Sequence, residues 1–241
     1  MNPPELPDDA ALFLDFDGCL VEIAARPDAI VVPAGLPDLL RDLFRRQGGA
    51  LALVSGRSIA DLRRYLPDFP GAMSGSHGAE LSLNGGDTET AHGLDLDVAA
   101  LHRDAATLSA TEPAILIEQK PHGVVMHYRA NPGLRHRAEE IAGELLSRYA
   151  GLVLQPAKMA IELRPDGVGK DKALIRLMSD PPFRGRRPVY IGDDLTDEVA
   201  MEAAQRLGGF AIKIGSGKTG ARHRLGDPAA LAAWLSDGVR S

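Results

Sequence analysis

Apolar residues recur along this chain in two rhythms. Short unbroken runs, Ala11 to Leu14, Ala50 to Val54, Pro188 to Ile191 and Phe210 to Ile214, have the length and bounds of buried strands. Between them the spacing opens to three and four. Leu36, Leu39, Leu40 and Leu43 predict an amphipathic helix stopped by Gly48-Gly49, and Ile59, Leu62 and Leu66 predict a shorter one capped by Ser58. Ala173, Leu174, Leu177 and Met178 predict a helix over 172–178, and another runs through Met201 to Leu207. A last helix has Asp227 as its cap and Pro228 in its first position, with Leu231, Trp234 and Leu235 inward. Strand and helix in alternation predict a parallel sheet with right-handed crossovers.

The middle of the chain has a different order. The glycine-punctuated Gly75-Ser-His-Gly-Ala-Glu80 predicts a turn, and Leu81-Ser-Leu83 with Asn84-Gly-Gly-Asp87 a short hairpin. Val98, Leu101, Ala105 and Leu108 then predict a helix, Ala114–Ile117 and Val124–Tyr128 two strands about Pro121-His-Gly123, and Pro132 to Tyr149 a second helix. Leu152–Leu154 and Met159–Leu163 are two further strands. Helix, strand, strand, helix, strand, strand is an α+β layer of its own, inserted into the α/β pattern. The expected division is 1–95 and 166–241 for the α/β core and 96–165 for the insertion, where Gly, Pro and Asp cluster at the joins.

Composition narrows the function classes. The 241 residues are 44% hydrophobic and 25% charged, enough for a sizeable core and unlike a disordered chain. A net charge of -6 excludes a general nucleic-acid binder. No apolar run approaches the roughly 20 residues that span a bilayer, and Met1 to Asp9 lacks the basic and apolar regions of a secretory signal. One cysteine, Cys19, excludes an intramolecular disulfide framework. A cytoplasmic protein, monomeric or dimeric, with a small-molecule substrate and neither nucleic acid nor membrane as partner, is expected.

Three of the apolar strands end in polar groups: Asp15-Phe-Asp17-Gly18, Ser55-Gly-Arg57, and Gly192-Asp193-Asp194-Leu-Thr-Asp197. In a parallel sheet these ends open on one edge, where α/β folds bind ligands. Lys170 stands at a helix start just after Gly167 and Gly169. Alone, each group is as well explained by a turn or a cap. Together a carboxylate, a hydroxyl, an ammonium and distal carboxylates form a set suited to phosphoryl transfer, in which the transferring group needs a cation and hydrogen-bond donors around it. A bare carboxylate pair such as Asp15 and Asp17 calls for a hard divalent ion.

In that order, DxDG, strand-end Ser, Lys and GDDxTD resemble the haloacid dehalogenase superfamily, and the insertion is similar to its αββαββ cap on a Rossmann-like core. The resemblance implies Asp15 as nucleophile forming an aspartyl-phosphate and Asp17 as general acid, then base. It also implies Ser55 and Lys170 on the phosphoryl group, and Mg2+ held by Asp15, the Asp17 backbone carbonyl and Asp193. Asp194 and Asp197 would tune the metal shell. One position departs: Cys19 stands where the superfamily usually has Thr, which weakens any hydrogen bond there but spares every charge.

Further stretches resemble trehalose-6-phosphate phosphatases: Ser55-Gly-Arg57, Gly75-x-His77-Gly-Ala-Glu80, Glu118-x-Lys120, His127-Tyr-Arg129 and Lys158-x-x-x-Glu162-Leu-Arg-Pro165. The resemblance implies a trehalose 6-phosphate substrate bound by Arg57, His77, Glu118, Lys120, Arg129, Lys158 and Glu162. Glu118 with Lys120, and Lys158 with Glu162, fall on one strand face each, where alternating charges can exchange hydrogen bonds with sugar hydroxyls. The same residues also suit cross-strand ion pairs on a solvated face. A phosphatase for another sugar phosphate, such as sucrose phosphate or mannosyl-3-phosphoglycerate, shares the core motifs, and a sugar-phosphate-binding regulator without catalysis would keep the pocket but release no phosphate.

Overall fold

β1 (Ala10–Leu14) is buried along its whole length and lies mid-sheet, which is why its apolar run does not alternate with polar residues. In the computed structural model, which describes residues 2–24, 26, 29–83, 85–90, 96–157 and 159–240, it belongs to an eight-stranded sheet. The other strands are β2 (Leu51–Val54), β3 (Ala72–Gly75), β4 (Glu80–Ser82), β5 (Glu89–Thr90), β10 (Arg187–Gly192), β11 (Phe210–Ile214) and β12 (His223–Leu225). Their order is β12-β11-β10-β1-β2-β3-β4-β5; the first six are parallel and β4 and β5 antiparallel.

Successive residues of β1 face opposite layers. Leu12 and Leu14 join a core with Leu36, Leu40 and Leu43 of α1 (Leu36–Arg46), Ile59 and Leu62 of α2 (Ile59–Tyr65), and Leu231 and Leu235 of α7 (Pro228–Arg240). Ala11 and Phe13 join a second core with α5 (Lys170–Met178) and α6 (Glu198–Arg206). The chain runs outward from β1 through β2 and β3 on one side and through β10, β11 and β12 on the other. The carboxyl end of β1 is therefore a topological switch point, the crevice where such sheets bind ligands.

Residues 91–167 form the second unit, the first being 1–90 with 168–241. Here α3 (Val98–Ser109), β6 (Leu116–Lys120), β7 (Gly123–His127), α4 (Arg135–Arg148), β8 (Leu152–Ala157) and β9 (Ala160–Pro165) give the expected order. The antiparallel sheet runs β6-β7-β9-β8. Val124, Met126, Ile161 and Leu163 pack with Leu101 and Ala105 of α3 and Ala138, Ile141 and Leu145 of α4. No helix among the described residues is long and apolar enough to cross a membrane.

The structure differs from expectation in several places; β6, for one, begins at Leu116 and runs to Lys120 rather than over Ala114–Ile117. The stretch read as a turn opens with a strand, β3, whose Ala-Met-Ser-Gly composition carries little apolar signal. β12 is a half-exposed edge strand with no apolar run. Trp234 is only half-buried, its indole N–H donating to the Pro4 carbonyl at 2.9 Å.

Candidate active site

Register sets the site. Leu14 is paired with Ile191 on one side and Leu53 on the other, so Asp15 lies level with Gly192 and Val54, one residue from Asp193 and from Ser55. The Asp15 N–H still donates to the Ile191 carbonyl at 2.9 Å, holding the carboxylate at the sheet edge with 4% of the residue exposed. Gly18, at φ +73°, then carries the loop against the β10 end: a Cβ there would stand 2.1 Å from Asp193 Oδ2.

Lys170, 3% exposed, begins α5 and points its ammonium between two carboxylates, 3.0 Å from Asp15 Oδ1 and 2.7 Å from Asp197 Oδ1. Asp197 is fully buried and accepts four bonds. Oδ1 takes Lys170 Nζ and the Tyr190 hydroxyl, both at 2.7 Å, and Oδ2 takes the N–H groups of Asp193 at 3.1 Å and Asp194 at 3.0 Å. Asp197 thus ties Lys170 to the loop after β10. The buried Lys213 of β11 donates to the Asp193 carbonyl from the next strand.

Asp17 is captured by Arg57 in a two-pronged bond, Nε to Oδ2 at 2.6 Å and Nη2 to Oδ1 at 2.7 Å. The guanidinium carbon lies 5.8 Å from the Phe16 ring centroid and 5.2 Å from that of Tyr65. Ser55, also buried, accepts the Arg57 N–H on Oγ at 3.2 Å and keeps its own hydroxyl proton to donate. His77, at φ 56°, donates its backbone N–H to the Ser55 carbonyl at 3.0 Å.

Burial raises the Asp15 carboxyl well above its usual range, Asp197 adding to the effect and Lys170 opposing it. Burial, with Asp197 and Asp194, pushes Asp193 up to about 6. Burial disfavours the Lys170 charge, but Asp15 and Asp197 outweigh it and hold the ammonium protonated. Carboxylates outnumber cations at this edge: Asp15, Asp17, Asp193 and Asp197, with the buried Glu80 and the exposed Asp194, stand against Arg57, Lys170 and Lys213. A divalent cation would offset part of that excess. An oxygen each from Asp15 and Asp193 and the Cys19 Sγ lie within 4.8 Å of one another, a span that an ion can bridge. Cys19 is wholly buried, so its thiol is a packed one, and burial raises it further from ionisation.

The second unit holds its polar groups on the sheet face opposite its core. Glu118, Val125, Glu162 and Gln155 stand in one cross-strand row and so share that face. Glu118 accepts from Lys120 Nζ at 2.6 Å and pairs with His127 Nε2 at 2.8 Å. Burial raises the Glu118 carboxyl, but the bonds from Lys120 and His127 outweigh it and leave it lowered. Burial raises Glu162, and the neighbouring Arg164 donates to Gln155. Arg129 is exposed in the turn after β7. Lys158 lies outside the described residues.

Asp15, Asp17, Ser55, Arg57, His77, Lys170, Asp193, Asp194 and Asp197 therefore all fall within the first unit, and Glu118, Lys120 and Glu162 share one face of the second. Sequence reasoning missed Tyr190 and Lys213, and named Glu80 only as part of the resembling stretch, without a role. Lys213 had a signal, a lone charge inside the buried run Phe210–Ile214.

This sheet, with its carboxylate edge at the switch point, has the haloacid dehalogenase fold. A haloacid dehalogenase-like hydrolase from B. subtilis has the same fold, with a TM-score of 0.67 over 94% of this chain and 99% of that one at 13% identity. More specifically, the chain belongs to the trehalose-phosphatase family, whose model matches residues 13–229. It is 36% identical to the trehalose-6-phosphate phosphatase of Escherichia coli over 96% of this chain and 87% of that protein. It is 40% identical to a probable trehalose-phosphate phosphatase of Sinorhizobium fredii over 86% and 78%. A crystal structure of a trehalose-6-phosphate phosphatase related protein aligns with a TM-score of 0.76 at 31% identity, covering 95% and 96%.

Proposed function

We propose that this protein hydrolyses trehalose 6-phosphate to trehalose and inorganic phosphate by two phosphoryl transfers through Asp15. The observation that carries the chemistry is the Lys170 bridge: it occupies Oδ1 of a buried carboxylate at the switch point and leaves Oδ2 to attack. That oxygen forms a bond to phosphorus as the phosphorus–sugar oxygen bond breaks. Lys170 and the Ser55 hydroxyl donate to the phosphoryl oxygens, whose charge the excess of carboxylates would otherwise repel.

Asp17 gives its proton to the departing sugar oxygen. It then takes one from the water whose oxygen attacks the phosphorus of the aspartyl-phosphate, and Asp15 is regenerated as a carboxylate. Both Asp17 oxygens are held by Arg57, so the guanidinium must release one before either proton moves. An incoming phosphate dianion is the competing partner for it.

The all-oxygen set of Asp15, Asp193 and the Asp17 backbone carbonyl fits Mg2+, with Asp194 and Asp197 orienting it. The ion would supply Lewis-acid stabilisation of the transferring phosphoryl group. We read residues 91–167 as the cap that selects substrate. The row of Glu118 and Glu162 with Lys120 offers acceptors and donors to sugar hydroxyls, and Arg129, Lys158, His77 and Arg57 complete the substrate set.

The test is phosphate release with Mg2+ from trehalose 6-phosphate, sucrose 6-phosphate, glucose 6-phosphate and mannosyl-3-phosphoglycerate. A strong preference for the first is expected. Comparable rates on several would discard the substrate and keep the chemistry, and binding without phosphate release would overturn both.

A further inference from the structure

The first unit buries one more carboxylate at this sheet edge, Glu80, 6% exposed at the start of β4 and unused in the steps above. Its two oxygens serve two segments. Oε2 accepts the N–H of Ile59, in the first turn of α2, at 2.7 Å, and Oε1 accepts the Ser76 hydroxyl at 2.8 Å. Ser76 and His77 are both left-handed, at φ 49° and 56°, a conformation that residues with side chains hold only where surrounding contacts impose it. The contacts are evident. The Ser76 N–H donates to the Arg57 carbonyl at 2.7 Å and the His77 N–H to the Ser55 carbonyl at 3.0 Å.

The same turn leaves no slack on either side. A Cβ on Gly56 would stand 2.6 Å from the His77 ring, and one on Gly78 would stand 2.5 Å from the Gly169 carbonyl oxygen, immediately before Lys170. The turn 76–78 is thus wedged between the loop that carries Ser55 and Arg57 and the backbone that launches Lys170.

We infer that Glu80 is a positioning residue for phosphoryl transfer, clamping the Ser76-His77-Gly78 turn so that it fixes the separation of Ser55 from Lys170. The inference rests on the roles proposed above for Ser55 and Lys170. A reacting constellation tolerates little displacement, and a shift of about 1 Å costs up to a hundredfold in rate. Glu80→Ala removes both bonds and lets the turn relax. Glu80→Gln keeps an acceptor for Ile59 and a donor that the Ser76 hydroxyl can accept.

The experiment compares Glu80→Ala, Glu80→Gln and Ser76→Ala with the parent enzyme on trehalose 6-phosphate and on p-nitrophenyl phosphate. Calorimetric titration with orthovanadate in Mg2+ accompanies it, because vanadate adopts the geometry of the transferring group. For Glu80→Ala, kcat is expected to fall about tenfold to a hundredfold, by the same factor on both substrates, with KM nearly unchanged and vanadate affinity falling in step. Glu80→Gln recovers most of the loss. Unchanged kcat and vanadate affinity alongside a lowered Tm would overturn the inference, as would a loss confined to trehalose 6-phosphate. If Glu80→Ala does not fold, Ser76→Ala, which deletes a single bond, decides by the same readouts. Vanadate binding needs no turnover, so an inactive parent enzyme would overturn the proposed function while the affinities still decide this point.

Discussion

Lys170 and Lys120 each pair with a carboxylate, at 3.0 and 2.6 Å, yet the two bonds do different work. Lys170 is 3% exposed, and its partners are fixed in turn by backbone N–H groups and a buried tyrosine. Lys120 and Glu118 have side chains 37% and 41% exposed, held chiefly by each other and by His127. The buried set cannot rearrange without stranding a charge, which suits a step that demands one geometry. The exposed set exchanges partners with water at little cost, which suits recognition of sugar hydroxyls that arrive and leave. On the proposed function, chemistry and selection would be divided between the units according to how firmly each solvates its charges.

The sharpest way to break this contrast is to remove the nucleophile. Asp15→Asn is expected to lower kcat about 10⁴-fold or more, with a far-UV spectrum like that of the parent; substantial residual turnover would end the assignment. Next comes Asp197→Ala, which strands Lys170, Tyr190 and two N–H groups. It should cost about 3–5 kcal/mol in urea unfolding, and a loss under about 1 kcal/mol would show that the buried set is not rigidly coupled.

On the exposed side, Glu118→Ala is expected to lower kcat/KM for trehalose 6-phosphate about tenfold while leaving p-nitrophenyl phosphate nearly unchanged. Stability should move by less than about 1 kcal/mol. Equal losses on both substrates would dissolve the distinction. The smallest effect is one of pH. Asp193 is raised from 3.8 to about 6, so the folded metal-free protein binds more protons there than the unfolded chain does. Its stability therefore falls as pH rises from about 4 to 6. Mg2+ should oppose that loss, giving a larger gain in urea midpoint at pH 7 than at pH 5; an equal gain would refute the shift.

Much of the buried set was legible because burial on both faces forces an unbroken apolar run, and a carboxylate that ends such a run has nowhere to go but the sheet edge. Asp15, Ser55 and Asp193 were read this way. The partners of those groups were not legible. Arg57 meets Asp17 across 40 residues, and only the pairing of β1 with β2 brings them together. Asp197 was read as a tuner of the metal shell; the structure adds that its four acceptor bonds fix Lys170 and the loop as well. β3 was lost in a glycine-rich stretch whose turn signals were real but masked the strand before them, and Glu80 was seen there only as part of a resembling stretch. On the exposed face, alternation placed Glu118 and Lys120 together but gave no sign of His127 as a third member, since that contact is diagonal between strands.

The pairing of β1 with β10 joins residues 10–14 to 187–191. Its consequence is temporal. A ribosome completes every described strand and helix of the second unit, whose sheet pairings are all antiparallel and join residues within 116–165, before it makes the partner that β1 needs. The two carboxylates that would hold the ion, Asp15 and Asp193, meet only when synthesis has passed β10, so the site assembles after the elements of the second unit have been made.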